Sequence, residues 1–587
     1  MIKRLAASRH ASILFPALGM LLALPAVWTG WQQDDINMRY FLLGHPGLGG
    51  KAISPFFDIF TFLTGDPQRA MKLMDIGLIP WWTLENLRLA FWRPLSAATH
   101  WIDYTVWPNN AALMHAQSLI WFGAVIVTTA ALYKRFLGMT WAAGLAALLF
   151  AIDDAHGLPA GWIANRNALV ATLFGLLALL CHDKWRREKR SYGAFLGPGF
   201  LLLGLLGGEF AVGVVGYLAA YQAVLDSGSW RQRLVRFLPY GIVAGVWLVV
   251  YSLQGYGTWG SGFYIDPMSE PLAFAWALFT RGPLLLADQL ALPPTTMVLF
   301  LPSAAVTALL VWAIILLITL SVALLPLIRR DRVAQFWALG MVLCLPPVCA
   351  TMPHSRVLLF AGLGGMGLVA QWVVGFKEQA GWLPDAPGWH RFGRVIMIVF
   401  IVAHGIVAPI LLPFNAISPA TAEPFIQEAA RNAPVDSHLA QQDLIIVNPP
   451  IVFYGHYFST ARVVNHQEPP LHLRILAPGA VPLHVARPDD RTLVVRPEGG
   501  FLSFPFDNVF RSDMHPLRLG EKIGLTNMTA RITGLTDDGR PAEVRFEFSS
   551  PLEDKSFTWL QWKEGKYVIF QPPSPGTEVS LPAQPVF

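Results

Sequence analysis

Long apolar runs fill the first 413 residues of this 587-residue chain. The run from Val306 to Ile328 contains no charged residue, whereas a helix on a soluble core would carry polar residues at helical spacing. One membrane crossing needs about twenty apolar residues, and by that rule we predict a polytopic α-helical membrane protein with about eleven spans. The predicted spans lie near residues 12–31, 112–133, 136–152, 160–181, 193–208, 210–225, 236–254, 297–328, 333–351, 357–375 and 394–413.

The pattern changes after residue 413, where short segments alternate between apolar and polar residues and turn signals separate them. The clearest segments are Asp443–Val447, Arg491–Val495, Glu543–Phe548 and Phe557–Trp562. This pattern predicts a C-terminal soluble all-β domain, a sandwich or a barrel, over residues 414–587. Residues 1–413 are then the transmembrane domain, with a large first outer loop at residues 32–110.

Composition supports the membrane class, and charge orients the chain. Hydrophobic residues make up 54% of the sequence and charged residues 14%, with a mean hydropathy of +0.45, which excludes a disordered chain and an ordinary soluble enzyme. An odd number of spans puts all the basic clusters on one side, which is then cytoplasmic. The first loop, the loop Gly255–Thr296 and the tail then face outward. The net charge of +5 gives no case for a nucleic-acid partner.

Two segments of the first outer loop are aromatic and semi-apolar but too short to span, namely Phe56–Leu63 and Trp81–Trp92. We expect both to be helices that lie in the membrane interface. The second outer loop is rich in glycine over Gly255–Gly262, which favours a hinged lid.

Charged residues near the outer membrane face are concentrated at a few points of the chain. Because burying charged groups in a membrane costs free energy, these residues are candidates for a functional site. Asp34 and Asp35 follow the first span, where one can act as a base while the other orients it, or both can hold a metal. Glu209 lies in an apolar stretch beside glycines. The other candidates are Arg93, Asp153, Asp154, His156, Asn165, Arg166, His354 and Arg356. The plainer interpretations are solvated turns and interfacial anchors.

The two distant arginines predict contact with anions. Arg166 opens a helix, where its charge opposes the helix dipole, so we expect Asp153, Asp154 or a bound phosphate as its partner. Arg356 and His354 are expected to be cations at the depth of a lipid headgroup, and arginine suits bidentate phosphate contact. All these charges are expected to surround one outward-facing cavity.

Several motifs in chain order carry a family resemblance. They are Asp34-Asp35 after the first span, Arg93-Pro94-Leu95 with Asp103-Tyr104, His115, Phe150-Ala151-Ile152-Asp153-Asp154-Ala155-His156, Trp162-Ile163-Ala164-Asn165-Arg166 and Gly207-Gly208-Glu209. Over roughly residues 12–225 the chain resembles the GT-C superfamily of membrane glycosyltransferases, and within it the protein O-mannosyltransferase-like branch. Pro353-His354-Ser355-Arg356 is also similar, whereas the tail matches no family that we can name.

The resemblance implies a sugar donor on a polyprenyl phosphate and a glycan, lipid or protein acceptor. Asp34 or Asp35 would be the catalytic general base. Because other branches of the superfamily hold a divalent metal with such acids, Mg²⁺ or Mn²⁺ at these residues stays open. The remaining candidates would bind the donor or the acceptor. A bacterial inner membrane with a periplasmic tail is the expected location. A flippase for lipid-linked sugars and a non-catalytic envelope assembly protein are the alternatives.

Overall fold

The computed structural model describes residues 11–43 and 59–584. The chain forms two compact units, and each unit takes its residues from distant parts of the sequence. The first unit consists of Met1–Gly30, Phe91–Gln254 and Asp266–Pro419. The second consists of Trp31–Ala90, Gly255–Ile265 and Ala420–Phe587. Most of the predicted first outer loop therefore folds in the same unit as the tail.

The first unit is helical, because its apolar runs satisfy their backbone groups within each segment. Its α-helices are Ala11–Ala23, Pro94–Val106, Ala111–Leu137, Trp141–Ala151, Gly157–Gly161, Arg166–Glu188, Gly193–Gly207, Gly213–Ala220, Trp230–Leu253, Pro271–Leu290, Ser303–Arg330, Arg332–Leu343, Leu345–Cys349, Leu359–Lys377, Pro387–Phe400 and Ala408–Ile417.

Seven helical segments among the described residues are long and apolar enough to cross a membrane, and four shorter ones are also apolar. The long segments are Ala111–Leu137, Ile163–Glu188, Trp230–Leu253, Ser303–Arg330, Arg332–Cys349, Leu359–Lys377 and Pro387–Asn432. Large apolar side chains are exposed on them, such as Val246 at 59% and Ile318 at 61%, as an apolar solvent requires. The chain is thus an integral membrane protein, while the count of about eleven spans stays a prediction.

The second predicted outer loop contains a helix that the sequence analysis missed. Residues Pro271–Leu290 form a helix of 20 residues inside the predicted loop Gly255–Thr296. Proline at its first position is compatible with a helix start, because the missing N–H would have no partner there. The loop Gly255–Thr296 is therefore partly helical, and the hinged lid stays a prediction.

The described residues of the second unit form three sheets. Its strands are β1 (Thr61–Thr64), β2 (Arg88–Ala90), β3 (Gly257–Trp259), β4 (Asp443–Ile446), β5 (His472–Ile475), β6 (Leu483–Asp489), β7 (Thr492–Pro497), β8 (Lys522–Leu525), β9 (Met528–Leu535), β10 (Pro541–Phe548), β11 (Phe557–Lys563), β12 (Lys566–Ile569) and β13 (Thr577–Leu581). The orders are β1-β2-β3, β13-β6-β7-β10-β9-β8 and β12-β11-β4-β5. The predicted strands of the tail coincide with β4, β7, β10 and β11.

The tail contains the predicted sheets, but it is not all-β. Strand β4 pairs in parallel with both β5 and β11, and parallel strands need a crossover rather than a hairpin. The helices Val452–Gly455 and Phe458–Val464 supply the crossover from β4 to β5. The other α-helices among the described residues of this unit are Asp34–Leu42, Pro67–Ile76 and Ala429–Asn432.

The expected interfacial helices of the first loop are not present in the described residues. Phe56 falls outside the described residues, Thr61–Thr64 is strand β1, and Trp81–Trp92 contains strand β2. Trp81 and Trp82 are 3% and 1% exposed. The Trp81 ring packs edge-on against Phe501 and Phe546 at 5.9 and 5.6 Å between centroids. Their apolar surface is therefore buried in a protein core and not in lipid.

Candidate functional site

The acidic pair after the helix Trp141–Ala151 is held by two residues that the sequence analysis did not single out. The Asp153 carboxylate accepts hydrogen bonds from the Ala155 N–H at 3.1 Å and from Gln289 Nε2 at 2.9 Å. Asn415 donates through Nδ2 to the Asp154 carbonyl oxygen at 3.0 Å. These contacts fix the pair against two helices that come much later in the chain.

A third carboxylate, Asp288, belongs to the same cluster. Its Oδ2 accepts hydrogen bonds from the Thr295 N–H at 2.9 Å, the Thr295 hydroxyl at 2.6 Å and the Ser355 hydroxyl at 2.8 Å. The sequence could have identified Asp288 because it lies inside the apolar run Leu284–Leu290. An ionisable residue in such a run costs free energy and usually has a functional role. Asp288 thus ties the end of one helix to the turn that carries Ser355 and Arg356.

The three carboxylates influence one another's charge. Burial and then the charges of Asp153 and Asp288 raise the pKa of Asp154 to about 8. Burial also raises the pKa of Asp288 to about 6, and its hydrogen bonds with Thr295 and Ser355 oppose that rise. Neighbouring carboxylates that are shielded from water repel one another when they are ionised, so ionising all three costs free energy. Asp154 is therefore mostly protonated at neutral pH.

His354 differs from the prediction, because it is not a cation at neutral pH. Burial and then the charge of Arg356 lower the pKa of His354 to about 3. Its Nδ1 accepts a hydrogen bond from the Arg356 N–H at 3.1 Å and lies 3.3 Å from the Thr296 hydroxyl. The neutral ring caps the short turn Ser355–Val357 and so positions Arg356.

Arg356 is the charged group of this turn. Its guanidinium lies 5.7 Å from the centre of the Trp162 ring, a cation–π contact. Its side chain is half-buried. Within residues 11–43 and 59–584 no carboxylate lies within ion-pair distance of it, and its guanidinium donates no hydrogen bond. The planar fork of donors is therefore available to an anion.

Arg166 pairs with Asp103, a residue outside the expected set of Asp153, Asp154 and a bound phosphate. Arg166 Nη1 lies 2.6 Å from Asp103 Oδ2, and both side chains are 0% exposed. Arg166 Nε also donates to the Ser118 hydroxyl at 3.0 Å, and Nη2 to the Met114 carbonyl at 2.8 Å. A buried charge needs a partner of this kind. The sequence placed Asp103 in a loop, but the helix Pro94–Val106 brings it inward.

Arg93 and Glu209 form an ion pair, with 2.8 Å between Nε and Oε2. Their side chains are 19% and 26% exposed, so the pair is accessible to a ligand. The Arg93 guanidinium also lies over the Phe91 ring at 4.4 Å. The structure therefore brings together two predicted site residues that are 116 positions apart.

His156 and Asn165 occupy positions of different kinds. His156 is 0% exposed, and its ring centroid lies 4.4 Å from that of Phe150 and 5.9 Å from that of Phe122. Burial lowers the pKa of His156, so the ring is neutral and packs in the protein core. Asn165 is half-buried and caps the helix Arg166–Glu188 without a side-chain hydrogen bond.

Gly157 and Gly161 allow the helix Ala408–Ile417 to pack closely against the segment that contains them. A Cβ atom on Gly161 would lie 1.9 Å from the Ala416 carbonyl oxygen, and one on Gly157 would lie 2.5 Å from that of Leu412. Glycines four residues apart are typical of close helix packing in membranes. The helix Ala408–Ile417 thereby comes near enough for Asn415 to reach Asp154.

Asp34 and Asp35 lie in the second unit, in the first turn of the helix Asp34–Leu42. Asp35 is 0% exposed, and its Oδ2 accepts a hydrogen bond from the Gln32 N–H at 3.0 Å. Asp34 is half-buried and accepts a hydrogen bond from the Tyr457 hydroxyl. Gln33, directly before them, has a φ of +49°, which L side chains rarely adopt and which often marks a functional turn.

The predicted meeting of this acidic pair with the arginines of the first unit stays a prediction. The described residues contain no group of three or more histidine, cysteine, aspartate or glutamate side chains that could hold a metal ion. A divalent metal at Asp34 and Asp35 stays a prediction.

Comparisons with known proteins give distant structural neighbours. No family model and no curated protein sequence matches the chain. Three similar solved structures are of the Archaeoglobus fulgidus oligosaccharyltransferase. One is tethered with an acceptor peptide containing the NVT sequon, with 12% identity, a TM-score of 0.41, and coverage of 77% of this chain and 63% of that one.

The second, named AglB, is in complex with an inhibitory peptide and a dolichol-phosphate, with 11% identity, a TM-score of 0.39 and coverage of 77% and 64%. The third is a complex with Zn and sulfate, with 11% identity, a TM-score of 0.40 and coverage of 76% and 61%. The chain spans slightly less than two thirds of the length of these neighbours. Similarity at this level assigns neither a branch nor an activity to this chain.

Proposed function

We propose that the protein is a membrane glycosyltransferase that moves a sugar from a polyprenyl-phosphate donor to an acceptor hydroxyl outside the cytoplasm. The acceptor is a glycan, a lipid or a protein. The observation that carries the proposal is Arg356, a half-buried guanidinium held over Trp162 beside a cluster of carboxylates at the ends of membrane helices. Such a cation suits the phosphate of a lipid that enters from the bilayer.

In the proposed reaction Arg356 binds the phosphate of the donor. A bond forms between the acceptor oxygen and the anomeric carbon, while the bond from that carbon to the phosphate oxygen breaks and its electron pair leaves with the phosphate. The guanidinium stabilises the negative charge that develops there. Arg93 and Glu209, as an accessible ion pair, orient the hydroxyls of the sugar or the acceptor.

Asp34 is the proposed general base, and it takes the proton of the acceptor hydroxyl. The half-buried Asp34 suits this role better than Asp35, which is fully buried and accepts a hydrogen bond from its own turn. Asp35 would then stabilise the first turn of the helix, where a carboxylate is favoured by the helix dipole. Residues Ala420–Phe587 are proposed to lie on the outer side, in a bacterial periplasm.

The experiment compares variants of the full-length protein in liposomes with a panel of polyprenyl-phosphate hexoses and pentoses. We expect Asp34→Asn to lower kcat by about a hundredfold or more while the protein remains folded. Asp35→Asn should lower the melting temperature. Arg356→Gln should raise the KM for the donor about tenfold or more. The readout is the polyprenyl phosphate released when an acceptor extract is present.

The matched controls make the same changes at exposed positions. They are Asp513→Asn and Arg391→Gln, whose side chains are exposed, and both should behave like the wild type. A folded Asp34→Asn protein with full transfer activity would overturn the assignment of the base. Unchanged donor affinity in Arg356→Gln would overturn the phosphate site.

A further inference from the structure

The tail contacts the proposed catalytic base, Asp34, directly. Tyr457 lies just before the helix Phe458–Val464, and its hydroxyl donates a hydrogen bond to Asp34 Oδ1, 423 residues away in the chain. A side chain from the tail therefore determines where this carboxylate oxygen lies. Both residues belong to the second compact unit.

We propose that Tyr457 is a positioning residue for Asp34, so that the C-terminal region completes the site of proton transfer instead of only binding an acceptor. The inference rests on the proposed function, since it assigns a role around the same base. A base acts efficiently only when its oxygen is held within hydrogen-bond reach of the proton that it takes. A phenol that donates to one carboxylate oxygen fixes the orientation of the whole carboxylate relative to the acceptor.

The surroundings of Tyr457 fix its ring. The side chain is 3% exposed, and its ring packs edge-on against Phe453 with 5.5 Å between centroids. Burial and then the negative charge of Asp34 raise the pKa of Tyr457 well above its ordinary value. The phenol therefore stays protonated and donates at every pH at which the protein would work. Among the described residues, Asp35 and Tyr454 also carry titratable groups that influence the Tyr457 hydroxyl.

A second hydrogen bond joins the same two helices and provides a matched control. The Thr460 hydroxyl donates to Asn37 Oδ1 at 2.8 Å, and these two residues follow Tyr457 and Asp34 by three positions each. Thr460→Val removes this bond and the contact of the same hydroxyl with the Tyr457 carbonyl oxygen at 3.1 Å, but it keeps the Tyr457 hydroxyl and the Asp34 carboxylate. It reports the effect of loosening the helix contact alone.

The test compares Tyr457→Phe, Thr460→Val and Asp34→Asn in the transfer assay over a range of pH. Phenylalanine keeps the ring and removes only the donor. We expect Tyr457→Phe to lower kcat about tenfold, with an unchanged KM for the donor. Because the ionised carboxylate loses a donor, the acid limb of the pH–rate profile should move to higher pH. Thr460→Val should leave the profile where it is.

The outcomes separate the two proposals. If Asp34→Asn keeps full activity, the proposed function fails at its base. If Asp34→Asn is inactive but Tyr457→Phe matches the wild type in kcat and pH profile, only the positioning role fails.

A double-mutant cycle on the melting temperature adds a readout that needs no substrate. The Asp34→Asn and Tyr457→Phe shifts should be non-additive if the two side chains interact. Additive shifts would overturn the contact itself.

Discussion

Asp154 shows how one residue's neighbours can reverse its expected charge. In the sequence it is half of an acidic doublet, and an exposed aspartate would be ionised at neutral pH. The structure surrounds it with Asp153 and Asp288 in a desolvated place, where the pKa rises to about 8. The folded state therefore keeps a proton on Asp154 that the unfolded state releases near pH 4.

The expected consequence is a loss of stability as the pH rises. Between about pH 4 and about pH 8 Asp154 is ionised in the unfolded chain but still protonated in the folded protein. Ionisation then stabilises only the unfolded chain, so the free energy of unfolding falls as the pH rises through this range. Asp154→Asn, which carries no charge in either state, should remove that slope and melt at a higher temperature than the wild type at pH 8. Thermal unfolding in detergent from pH 5 to pH 9 measures it.

The control for this prediction is the same substitution at the exposed Asp513, which should leave the slope unchanged. An Asp154→Asn protein whose melting temperature follows the wild type at every pH would show that the carboxyl is already ionised in the folded state.

At the scale of elements, the glycine pair Gly157 and Gly161 decides how closely two helices pack. The motif is visible in the sequence, yet its partner, the helix Ala408–Ile417, is about 250 residues away and could not be identified from the pattern. A side chain on Gly161 would collide with backbone atoms of Ala416, which cannot rotate away. The whole helix would have to move, and Asn415 would move with it.

We therefore predict that Gly161→Ala destabilises the protein by about 1–3 kcal/mol, the usual cost of overpacking. Gly199→Ala is the matched control, because Gly199 also lies in a helix but a Cβ atom there would meet nothing within 4 Å. That change should be neutral or slightly stabilising, since alanine has the higher helix propensity. Equal melting temperatures for the two variants would contradict the close helix contact.

At the scale of the whole molecule, the first outer loop and the tail share one core. Trp81 donates through Nε1 to the Leu476 carbonyl at 3.3 Å, and Trp82 donates to that of Asp507 at 3.4 Å. Both rings are buried among residues of the tail's sheets. Residues that precede most of the membrane helices thus depend on residues that follow them.

A substitution in the loop should therefore unfold the tail. Trp81→Ala removes a fully buried aromatic ring, at a cost of about 3–5 kcal/mol, and should make residues 420–584 sensitive to protease and to hydrogen exchange. Trp276→Ala is the control, since that ring is 69% exposed in the first unit. A Trp81→Ala protein whose tail resists protease like the wild type would show that the tail folds without the loop.

The sequence by itself determined the membrane class, the position of most apolar helices and four strands of the tail. These features depend on local patterns, namely the length of apolar runs and the period-two alternation of strands. It also singled out Asp34, Asp153, Asp154 and Arg356 as candidates, because charged residues beside an apolar run are unusual.

Only the tertiary structure decided which charges meet. Asp103 neutralises Arg166, Asp288 joins Asp153 and Asp154, and Tyr457 reaches Asp34. Such pairs join residues that lie tens to hundreds of positions apart. Helix packing and strand order determine which residues meet. Neither can be read from a local pattern in a single sequence. The burial that makes His354 neutral and Asp35 inaccessible arises in the same way, from neighbours that the chain supplies only after folding.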